Sequence, residues 1–341
     1  MAGNRRIVLA ARPVGMPTPE DFRLETAELP SPGEGQVLLR TLWLSLDPYM
    51  RGRMSAAKSY AKPVEIGEVM TGGTVSEVVE SRAPGLAKGD MVVGIGGWQE
   101  YAVLPGREVQ KIDPAAFPPS YALGVLGMPG LTAYVGLLDI GQPKAGETVV
   151  VSAAAGAVGS IVGQIAKIKG CRAVGIAGGP DKCAHVRDAL GFDACVDYKA
   201  PDFQAQLKAA CPDGIDVHFD NVGGDVADAC LMLMNTGGRV PVCGRIANYN
   251  DTELPPGPNK VPMVMGLVLV RRLKIQGFII FDHWHRMPDF HRDVGGWLKE
   301  GRIHWREDVV EGLETAPDAF IGLLKGRNLG KLLVRVGADR V

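Results

Sequence analysis

The fold follows from one stretch of the sequence, VVVSAAAGAVGS at positions 149–160. Its apolar start is typical of a buried strand, the small residues after it of a tight turn, and Gly159 of a helix start. Set on the dinucleotide pattern G-x-G-x-x-G, the turn has Ala154, Gly156 and Gly159, so alanine replaces the first glycine. Small residues let the backbone approach a pyrophosphate, and a helix N-terminus offers it N–H groups and partial positive charge. The stretch predicts a dinucleotide site, and a tight turn that binds nothing is the alternative.

Short strands and helices alternate around this turn. The apolar segment 124–138 precedes it and is compatible with a buried helix. Helices are predicted at 159–169, 181–190 and 203–210. Strands are predicted at 148–152, 171–177, 194–198, 215–220, 238–244 and 274–278. Alternation at these lengths predicts a doubly wound parallel sheet.

The chain before the alternating unit has a different sequence pattern. Short strands separated by Gly/Pro turns are predicted at 35–43, 73–80, 91–94 and 98–104. Such a pattern favours a small barrel or sandwich. One further strand, 330–336, lies beyond the alternating unit and is expected to rejoin the first domain.

Composition excludes several classes of protein. The chain has 341 residues, is 46% hydrophobic and has a formal net charge of −1, from 37 Lys+Arg against 38 Asp+Glu. These values argue against a disordered chain and against nucleic acid as the main partner. The apolar runs near the N-terminus and at 261–270 are too short for a secretory signal or a bilayer span, so a soluble, cytoplasmic protein without a membrane partner is expected.

The cysteines and histidines disfavour a metal. None of the six cysteines belongs to a C-x-x-C pair, and no cysteine or histidine precedes residue 171. A catalytic zinc in the first domain is therefore not expected. His283, His285 and His291 lie near Asp282 and could resemble a metal site, but such neighbours on a loop are more often surface polar groups. No G-x-S-x-G elbow is present, which disfavours serine hydrolysis.

The residues after the second strand of the alternating unit indicate which cofactor is bound. An acidic residue about 20 positions on would bind the ribose 2′-hydroxyl of NAD. The sequence there is Gly178-Gly179-Pro180-Asp181-Lys182. The two glycines leave room for a 2′-phosphate and Lys182 offers it a cation, so NADPH is favoured. Asp181 is either the missing acid or the N-cap of the next helix, and Lys182 as an ordinary solvated lysine remains an alternative.

Hydride transfer without a metal suits a conjugated C=C bond. The hydride adds to the β-carbon and the charge spreads into an enolate, whose oxygen a tyrosine or a cofactor ribose hydroxyl can hold. Four tyrosines are candidates for this hydroxyl: Tyr49, Tyr60, Tyr198 and Tyr249. In any protein, however, most tyrosines have a packing role.

Several motifs together resemble the medium-chain dehydrogenase/reductase superfamily, in its zinc-free branch of prostaglandin (leukotriene), plant double-bond and curcumin reductases. They are WLSLDPYMRGRM (43–54), MPGLTAY (128–134), AAAGAVGS (153–160), DYK (197–199), FDNVGG (219–224) and GRNLGK (326–331). The resemblance runs nearly end to end. It implies a GroES-like β-barrel domain at 1–125, rejoined by about 312–341, and a Rossmann domain at 126–311. It also implies NADPH, 1,4-reduction of α,β-unsaturated aldehydes or ketones, and a homodimer.

The resemblance also assigns roles to residues. It places the pyrophosphate on Gly156, Ala157, Val158 and Gly159, with Gly178, Lys182 and Tyr198 around the 2′-phosphate. Further cofactor contacts are expected from Asn221, Cys243, Tyr249, Phe278, Ile279, Ile280 and Asn328. Tyr249 is the first choice for the catalytic hydroxyl and Tyr49 the second, while Tyr49 and Tyr60 are expected to border the substrate.

One departure and two alternatives qualify this interpretation. The loop before Tyr249 is Gly-Arg-Ile-Ala-Asn, where the family often has Ser or Thr. A quinone oxidoreductase of the same superfamily would share the nucleotide turn, although DPYMRGRM disfavours it. A protein that binds NADPH without catalysis is the other alternative, and an intact lysine and two tyrosines argue against it.

Overall fold

A computed structural model describes residues 3–253 and 257–337. The chain divides into two compact units, one made of residues up to 124 and from 307 onward, the other of residues 125–306. The second boundary lies a few residues before the predicted one, because the strand Glu307–Glu311 pairs with Lys331–Arg335. The predicted α/β fold class is confirmed, with a β-sheet unit and a parallel doubly wound unit.

The strands are numbered along the chain. They are β1 (Asn4–Leu9), β2 (Phe22–Ala27), β3 (Gln36–Ser45), β4 (Thr74–Ser81), β5 (Met91–Gly94), β6 (Tyr101–Pro105), β7 (Gln110–Lys111), β8 (Thr148–Ser152), β9 (Arg172–Ala177), β10 (Ala194–Asp197), β11 (Ile215–Phe219), β12 (Met234–Val242), β13 (Lys274–Gly277), β14 (Glu307–Glu311) and β15 (Lys331–Arg335).

The α-helices are α1 (Met50–Arg53), α2 (Met128–Val135), α3 (Gly159–Ile168), α4 (Pro180–Ala184), α5 (Phe203–Ala210), α6 (Gly224–Leu233), α7 (Val261–Arg271), α8 (Met287–Lys299) and α9 (Ala316–Leu324). Short 3₁₀ turns occupy Pro19–Asp21, Gly106–Glu108, Pro119–Leu123, Ile246–Asn248, Ile280–Arg286 and Leu313–Thr315. π-helical turns extend α2 at Gly136–Gly141 and α4 at His185–Ala189. Within the described ranges, no helix is both long and apolar enough to cross a bilayer.

The first unit is built around the long strand β3. Its sheet has the order β14-β15-β3-β4-β5-β7, and β6 also pairs with β3. One edge of β3 is shared, since residues 36–40 pair with β6 and residues 43–45 with β15. Beside the sheet, Trp98 stacks on Phe22 at 5.6 Å between centroids and meets Phe320 edge-on at 5.7 Å. These aromatic contacts join segments distant in sequence into one core.

A buried ion pair holds the end of β3. Lys331 is 1% exposed, and its Nζ donates to Asp47 Oδ1 at 3.1 Å and to Leu46 O at 2.8 Å. Ser45 Oγ also donates to Asp47. Burial lowers the pKa of Lys331, while the Asp47 charge opposes that shift. A paired, hydrogen-bonded charge is tolerable in a core, so this pair anchors the segment that leads into Tyr49 and α1.

The second unit is a six-stranded sheet of order β10-β9-β8-β11-β12-β13. All of its neighbouring strands are parallel. Every residue of β8 is buried, as its apolar run predicts. The strand order reverses between β8 and β11, and ligands of such sheets bind beyond the carboxyl ends of the strands at this point. The fold thus places a crevice beside the turn that follows β8.

Candidate active site

The turn between β8 and α3 requires small residues. A Cβ atom at Gly159 would lie 2.3 Å from Ala153 O and 2.9 Å from Ala154 Cα, so only glycine fits without moving the turn. Ala153 has a φ of 52°, which is uncommon for a residue with a side chain. Such strain is concentrated at functional sites. In the pattern G-x-G-x-x-G, Ala154 occupies the position of the first glycine. The residue with the positive φ is the one before it, Ala153.

Polar groups converge at the carboxyl ends of β8 and β11. Ser152 Oγ accepts the Asn221 N–H at 2.8 Å and donates to Asp220 Oδ1 at 3.2 Å. Asn221 Nδ2 donates to Ser152 O at 2.8 Å. Burial alone would raise the pKa of Asp220, but His218 and the amides of the next turn outweigh it and lower the pKa. The network fixes Asn221 at the crevice, with its Oδ1 as the acceptor it can offer a ligand.

Of the residues predicted for the 2′-phosphate, Gly178 and Tyr198 lie next to each other, and Lys182 lies on the helix after Gly179. A Cβ at Gly178 would lie 2.9 Å from Tyr198 Cε1, so the ring covers this glycine. Gly179, with a φ of 98°, caps α4, and its N–H donates to Asp197 Oδ1 at 2.8 Å. Lys182 follows in α4 and is partly exposed. The interpretation of Asp181 as the helix N-cap is wrong, because Gly179 is the cap and Asp181 lies inside the first turn.

Sequence reasoning missed a second cation here. Lys199 Nζ lies 5.9 Å from the Tyr198 ring centroid, and Lys199 Cε would be 3.2 Å from a Cβ at Gly178. The Lys199 N–H donates to Asp197 Oδ1 at 2.9 Å, which fixes the turn. Its sequence signal is its place as the last residue of the motif DYK (197–199), to which no cofactor role was assigned.

The loop after β12 carries Cys243 and Tyr249. The Cys243 N–H donates to Asp220 O at 2.8 Å, which ties this loop to the end of β11. Burial, followed by the Asp220 charge, raises the pKa of Cys243 to about 12, so the thiol stays protonated. Tyr249 Oη accepts the Arg245 N–H at 3.4 Å and would lie 3.3 Å from a Cβ at Gly244. The absence of a side chain at Gly244 therefore leaves room for this hydroxyl.

The segment after β13 supplies apolar groups. The Phe278 ring meets Phe219 edge-on at 6.5 Å between centroids, and a Cβ at Gly136 would lie 2.7 Å from Phe278 Cζ. Phe278 and Ile279 are partly exposed, whereas Ile280 is buried. Of these three predicted cofactor contacts, Ile280 is the one packed most fully into the protein.

The first unit carries the remaining predicted residues. Tyr49 precedes α1 and is partly buried, and burial followed by the Asp47 charge raises its pKa, while Arg53 opposes the shift. Its phenol is thus a hydrogen-bond donor at all working pH values. Tyr60 is exposed on the segment after α1. Asn328 Nδ2 donates to Gly330 O at 2.8 Å, in the turn before β15.

The histidines do not assemble a metal centre. The ring of His291 bonds the carbonyl of Leu126 at 3.0 Å, and the His283 and His285 rings lie 6.3 Å apart. Among residues 3–253 and 257–337, no group of three potential ligands is close enough to hold a metal ion.

NADP(H) fits the residues of the second unit. The glycine turn at the start of α3 suits a pyrophosphate, because the first amides of a helix have no intrahelical acceptor. Lys199 lies beside the covered Gly178 and Lys182 lies on α4, the helix that follows, which suits a 2′-phosphate. The residues directly after β9 are Gly178 and Gly179, and the nearby Asp197 carboxylate accepts the N–H groups of Gly179 and Lys199.

Comparison with known proteins agrees with this geometry. A family model described as the N-terminal domain of oxidoreductase matches residues 5–112, and one described as zinc-binding dehydrogenase matches residues 157–294. The second description names zinc, but the residues present do not fit it, since no cysteine or histidine precedes residue 171.

Individual relatives cover almost the whole chain. NADPH-dependent curcumin reductase of Escherichia coli (strain K12) is 59% identical over 337 residues, 98% of each chain. Prostaglandin reductase 1 of Bos taurus is 45% identical over 329 residues, 94% of this chain and 96% of that one. CurA from Vibrio vulnificus, crystallised in complex with NADPH, is 56% identical with a TM-score of 0.95, covering 98% of this chain and 100% of that one. The chain belongs to the zinc-independent branch of the medium-chain dehydrogenase/reductase superfamily, together with the curcumin and prostaglandin reductases.

Proposed function

We propose that this protein is an NADPH-dependent reductase of the C=C bond in α,β-unsaturated ketones and aldehydes. The observation that carries the proposal is the second unit's glycine turn after β8, together with the group of Gly178, Tyr198 and Lys199 after β9 and β10 and a tyrosine hydroxyl on the loop after β12. The relatives named NADPH-dependent curcumin reductase and prostaglandin reductase support the same chemistry. The reaction is a 1,4-addition, so two electrons reach the β-carbon and a proton the α-carbon.

The second unit would hold the cofactor. The pyrophosphate would rest on the amides of Gly156 to Gly159, and the 2′-phosphate would meet Lys182, Lys199 and Tyr198. Asn221, Cys243 and the apolar residues Phe278 and Ile279 would lie toward the nicotinamide, with Ile280 supporting them from the core. Asn328 is a further proposed contact. Bound NADPH supplies the hydride for the β-carbon and a ribose hydroxyl for the enolate oxygen.

Tyr249 is the proposed catalytic hydroxyl. Its oxygen accepts an amide N–H from Arg245, and accepting a hydrogen bond makes an O–H group a better donor. A donor aimed at a developing enolate lowers the barrier most where water is excluded. Tyr249 would hold the oxygen, and either this tyrosine or water would protonate the α-carbon. Tyr49 is the second candidate for that hydroxyl.

NADPH oxidation measured against matched substrates tests the function. An enone, its saturated ketone, an alkenal and a quinone should each be offered with NADPH, and the enone also with NADH. We expect turnover of the enone and the alkenal, none of the saturated ketone, and preference for NADPH. Faster turnover of the quinone would support a quinone oxidoreductase, and tight NADPH binding without turnover of any acceptor would support a protein without catalysis.

Replacing Lys182 with alanine should change cofactor preference. A charge-assisted hydrogen bond to phosphate contributes about 1.5–3 kcal/mol, so the KM for NADPH should rise roughly 10–100-fold. The KM for NADH should stay the same, because NADH has no 2′-phosphate. Steady-state kinetics with both cofactors measures this, with Lys199→Ala expected to give a smaller shift.

The exposed lysine of α5 provides the control for that measurement. Lys208→Ala removes the same charge from a solvent-exposed position and should leave both KM values unchanged. An equal rise for NADPH and NADH in Lys182→Ala would mean that Lys182 acts on the fold and not on the 2′-phosphate.

We propose that two copies of the chain associate through α7 and β13. All four residues of β13 are exposed, and β13 pairs with β12 on one side only within the described residues. Leu269 and Val270 on α7 are 77% and 70% exposed, and Ile275 on β13 is 42% exposed. An open strand edge beside an apolar patch is a template for pairing with another chain. A two-fold axis would bring both β13 edges together and cover both patches.

A charge on this patch should separate the copies. Leu269→Lys would bury an unpaired ammonium in the interface at a cost of several kcal/mol, raising the dimer dissociation constant at least about 100-fold. Sedimentation equilibrium measures the effect. Val14→Lys, at an 87% exposed position of the first unit, should remain a dimer. A monomeric wild type, or an undisturbed Leu269→Lys dimer, would refute this interface.

We also propose a cytoplasmic location. The six cysteines are all free thiols, including Cys183 and Cys195, whose Sγ atoms lie 3.1 Å apart. Thiols so close together persist most readily in a reducing compartment.

A further inference from the structure

Two thiols of the second unit lie in contact with each other. Cys195 Sγ donates to Cys183 Sγ at 3.1 Å, and neither cysteine is in a disulfide. Cys183 is buried within α4, whereas Cys195 is partly exposed on β10, the strand at one edge of the sheet. A Cβ at Gly175 of β9 would lie 3.3 Å from Cys195 Sγ, so the lack of a side chain there leaves room for the sulfur. The fold thus brings a cysteine of a helix together with a cysteine of a strand.

The two sulfurs are close to bonding distance. The S–S bond of a disulfide is about 2.05 Å long, so the sulfurs have to approach each other by roughly 1 Å. Cys195 is held by the parallel pairing of β10 with β9, in which it lies opposite Gly175. Cys183 belongs to α4, which has only five residues. A short helix shifts more readily than a paired strand, so α4 is the element expected to move when the bond forms.

The pair lies beside the residues proposed for the 2′-phosphate. Lys182 directly precedes the buried cysteine in α4, and Asp197 follows the other cysteine two positions later, at the end of β10. Asp197 Oδ1 accepts the N–H groups of Gly179 and Lys199, which joins the start of α4 to the turn after β10. A disulfide would join the same two segments at a second point, and a shift of α4 would carry Lys182 away from the place that it has with free thiols.

We propose that Cys183 and Cys195 are a redox modification site, at which a hydroperoxide converts the two thiols into a disulfide that weakens the binding of NADPH. The effect on NADPH rests on the proposed position of its 2′-phosphate at Lys182, whereas formation of the disulfide does not depend on that position. NADH has no 2′-phosphate, so the disulfide should leave the affinity for NADH unchanged.

The reaction balances with hydrogen peroxide as the oxidant. One sulfur attacks the O–O bond and becomes a sulfenic acid, with release of one water. The second sulfur then attacks the first, so that the S–S bond forms, the S–O bond breaks and a second water leaves. Both thiol protons end in water, and the two electrons reduce the peroxide. Burial, followed by the hydrogen bond with Cys183, raises the pKa of Cys195, so this thiol stays protonated at neutral pH and the reaction needs an excess of peroxide.

Peptide mapping of the folded protein tests the modification. Cleavage after lysine and arginine releases Cys183 in the peptide 183–187 and Cys195 in the peptide 188–199, each with one cysteine. After incubation of the full chain with excess hydrogen peroxide and blocking of the remaining thiols, we expect mass spectrometry to find these two peptides joined. Dithiothreitol should separate them again. Joined peptides that contain other cysteines instead, or no joined peptides, would overturn the proposal, and neither result requires a variant to fold.

Titration with NADPH after removal of the peroxide tests the effect on the cofactor. The dissociation constant for NADPH should rise about 3–10-fold, less than in Lys182→Ala, because the lysine is displaced and not lost. Dithiothreitol should restore the original value. Cys195→Ser should keep its affinity in peroxide, since serine forms no disulfide. Cys171→Ser is the matched control, because Cys171 is buried and its Sγ donates to Lys144 O at 3.2 Å, and this variant should respond to peroxide as the wild type does.

The outcomes separate this inference from the proposed function. A loss of NADPH affinity in peroxide that persists in Cys195→Ser, or a disulfide that leaves the affinity unchanged, would overturn the role of the pair. A reduced wild type that binds NADPH and NADH equally would instead refute the proposed position of the 2′-phosphate. A reduced wild type that binds NADPH but reduces no enone would refute the proposed function. In both of these cases the peptide map still decides whether the disulfide forms.

Discussion

Tyr249→Phe is expected to lower kcat for enones by about 10²–10³-fold, the usual cost of removing one donor to a developing oxyanion. The substitution deletes a single oxygen and keeps the ring. The bond that the hydroxyl accepts from the Arg245 N–H is long, at 3.4 Å, so its loss should disturb the backbone around Gly244 and Arg245 little. The loss should fall on kcat more than on KM for NADPH. Single-turnover oxidation of bound NADPH measures the chemical step directly.

Two other Tyr→Phe variants serve as controls for this measurement. Tyr49→Phe should lower kcat less than about 10-fold if Tyr249 holds the enolate oxygen. Tyr121→Phe, whose ring packs on Phe117 at 6.4 Å in the first unit, should have wild-type kinetics. If Tyr49→Phe lost the larger share of activity, the two roles would be exchanged, and if neither tyrosine mattered for any enone, the enolate would need another donor.

The sheet of the second unit could be predicted from the sequence because its signals are local. A parallel strand buried on both faces is a continuous apolar run, and β8 and α5 have the bounds that their patterns predict. Strand β12 is less regular. It begins at Met234, four residues before the predicted start, and its register with β11 shifts. Its first residues are not a continuous apolar run, so the sequence pattern did not include them.

The contact of Gly178 with Tyr198 was predictable, because it depends on a small residue and on neighbouring strands. The two residues flank α4, which carries Lys182, within one βαβ unit, so their contact follows from the strand order. The pairing of Asp47 with Lys331 does not, because 284 positions separate the two residues. Each is an ordinary charged residue of its motif until the fold brings β15 beside β3. Arg53 lies between the rings of Tyr49 and Tyr60. This position depends likewise on the packing of a loop, which has no periodic sequence signal.

Helix α7 shows why an apolar pattern does not by itself indicate burial. Its sequence is the most apolar late run of the chain, and none of its residues is buried. Burial depends on what lies opposite a helix face: Leu267 and Val268 pack partly against the core of the second unit, whereas Leu269 and Val270 stay exposed. The proposed contact with a second copy would cover these residues, and this conflict between composition and exposure is the observation that supports the proposed dimer.

Gly159→Ala should abolish most NADPH affinity. The new Cβ would lie 2.3 Å from Ala153 O, a carbonyl of the turn itself, and backbone cannot rotate away as a side chain can. The start of α3 must therefore move, and with it the amides that would face the pyrophosphate. Losing charge-assisted bonds of about 1.5–3 kcal/mol each should raise the NADPH dissociation constant roughly 100-fold or more. Fluorescence titration with NADPH measures it.

Two other glycines distinguish a local effect from general damage to the fold. At Gly156 the added Cβ would be 3.2 Å from Ala153 O, so Gly156→Ala needs a shift of only a few tenths of an ångström and should weaken binding less. At Gly296, within α8, nothing lies within 4 Å of the added Cβ, and alanine there should stabilise the helix by about 0.5–1 kcal/mol. The dissociation constants should therefore rank Gly159→Ala above Gly156→Ala and leave Gly296→Ala equal to the wild type. If a folded Gly159→Ala bound NADPH as well as Gly296→Ala does, the turn after β8 would not be where the pyrophosphate rests, and the cofactor would have to enter this sheet elsewhere.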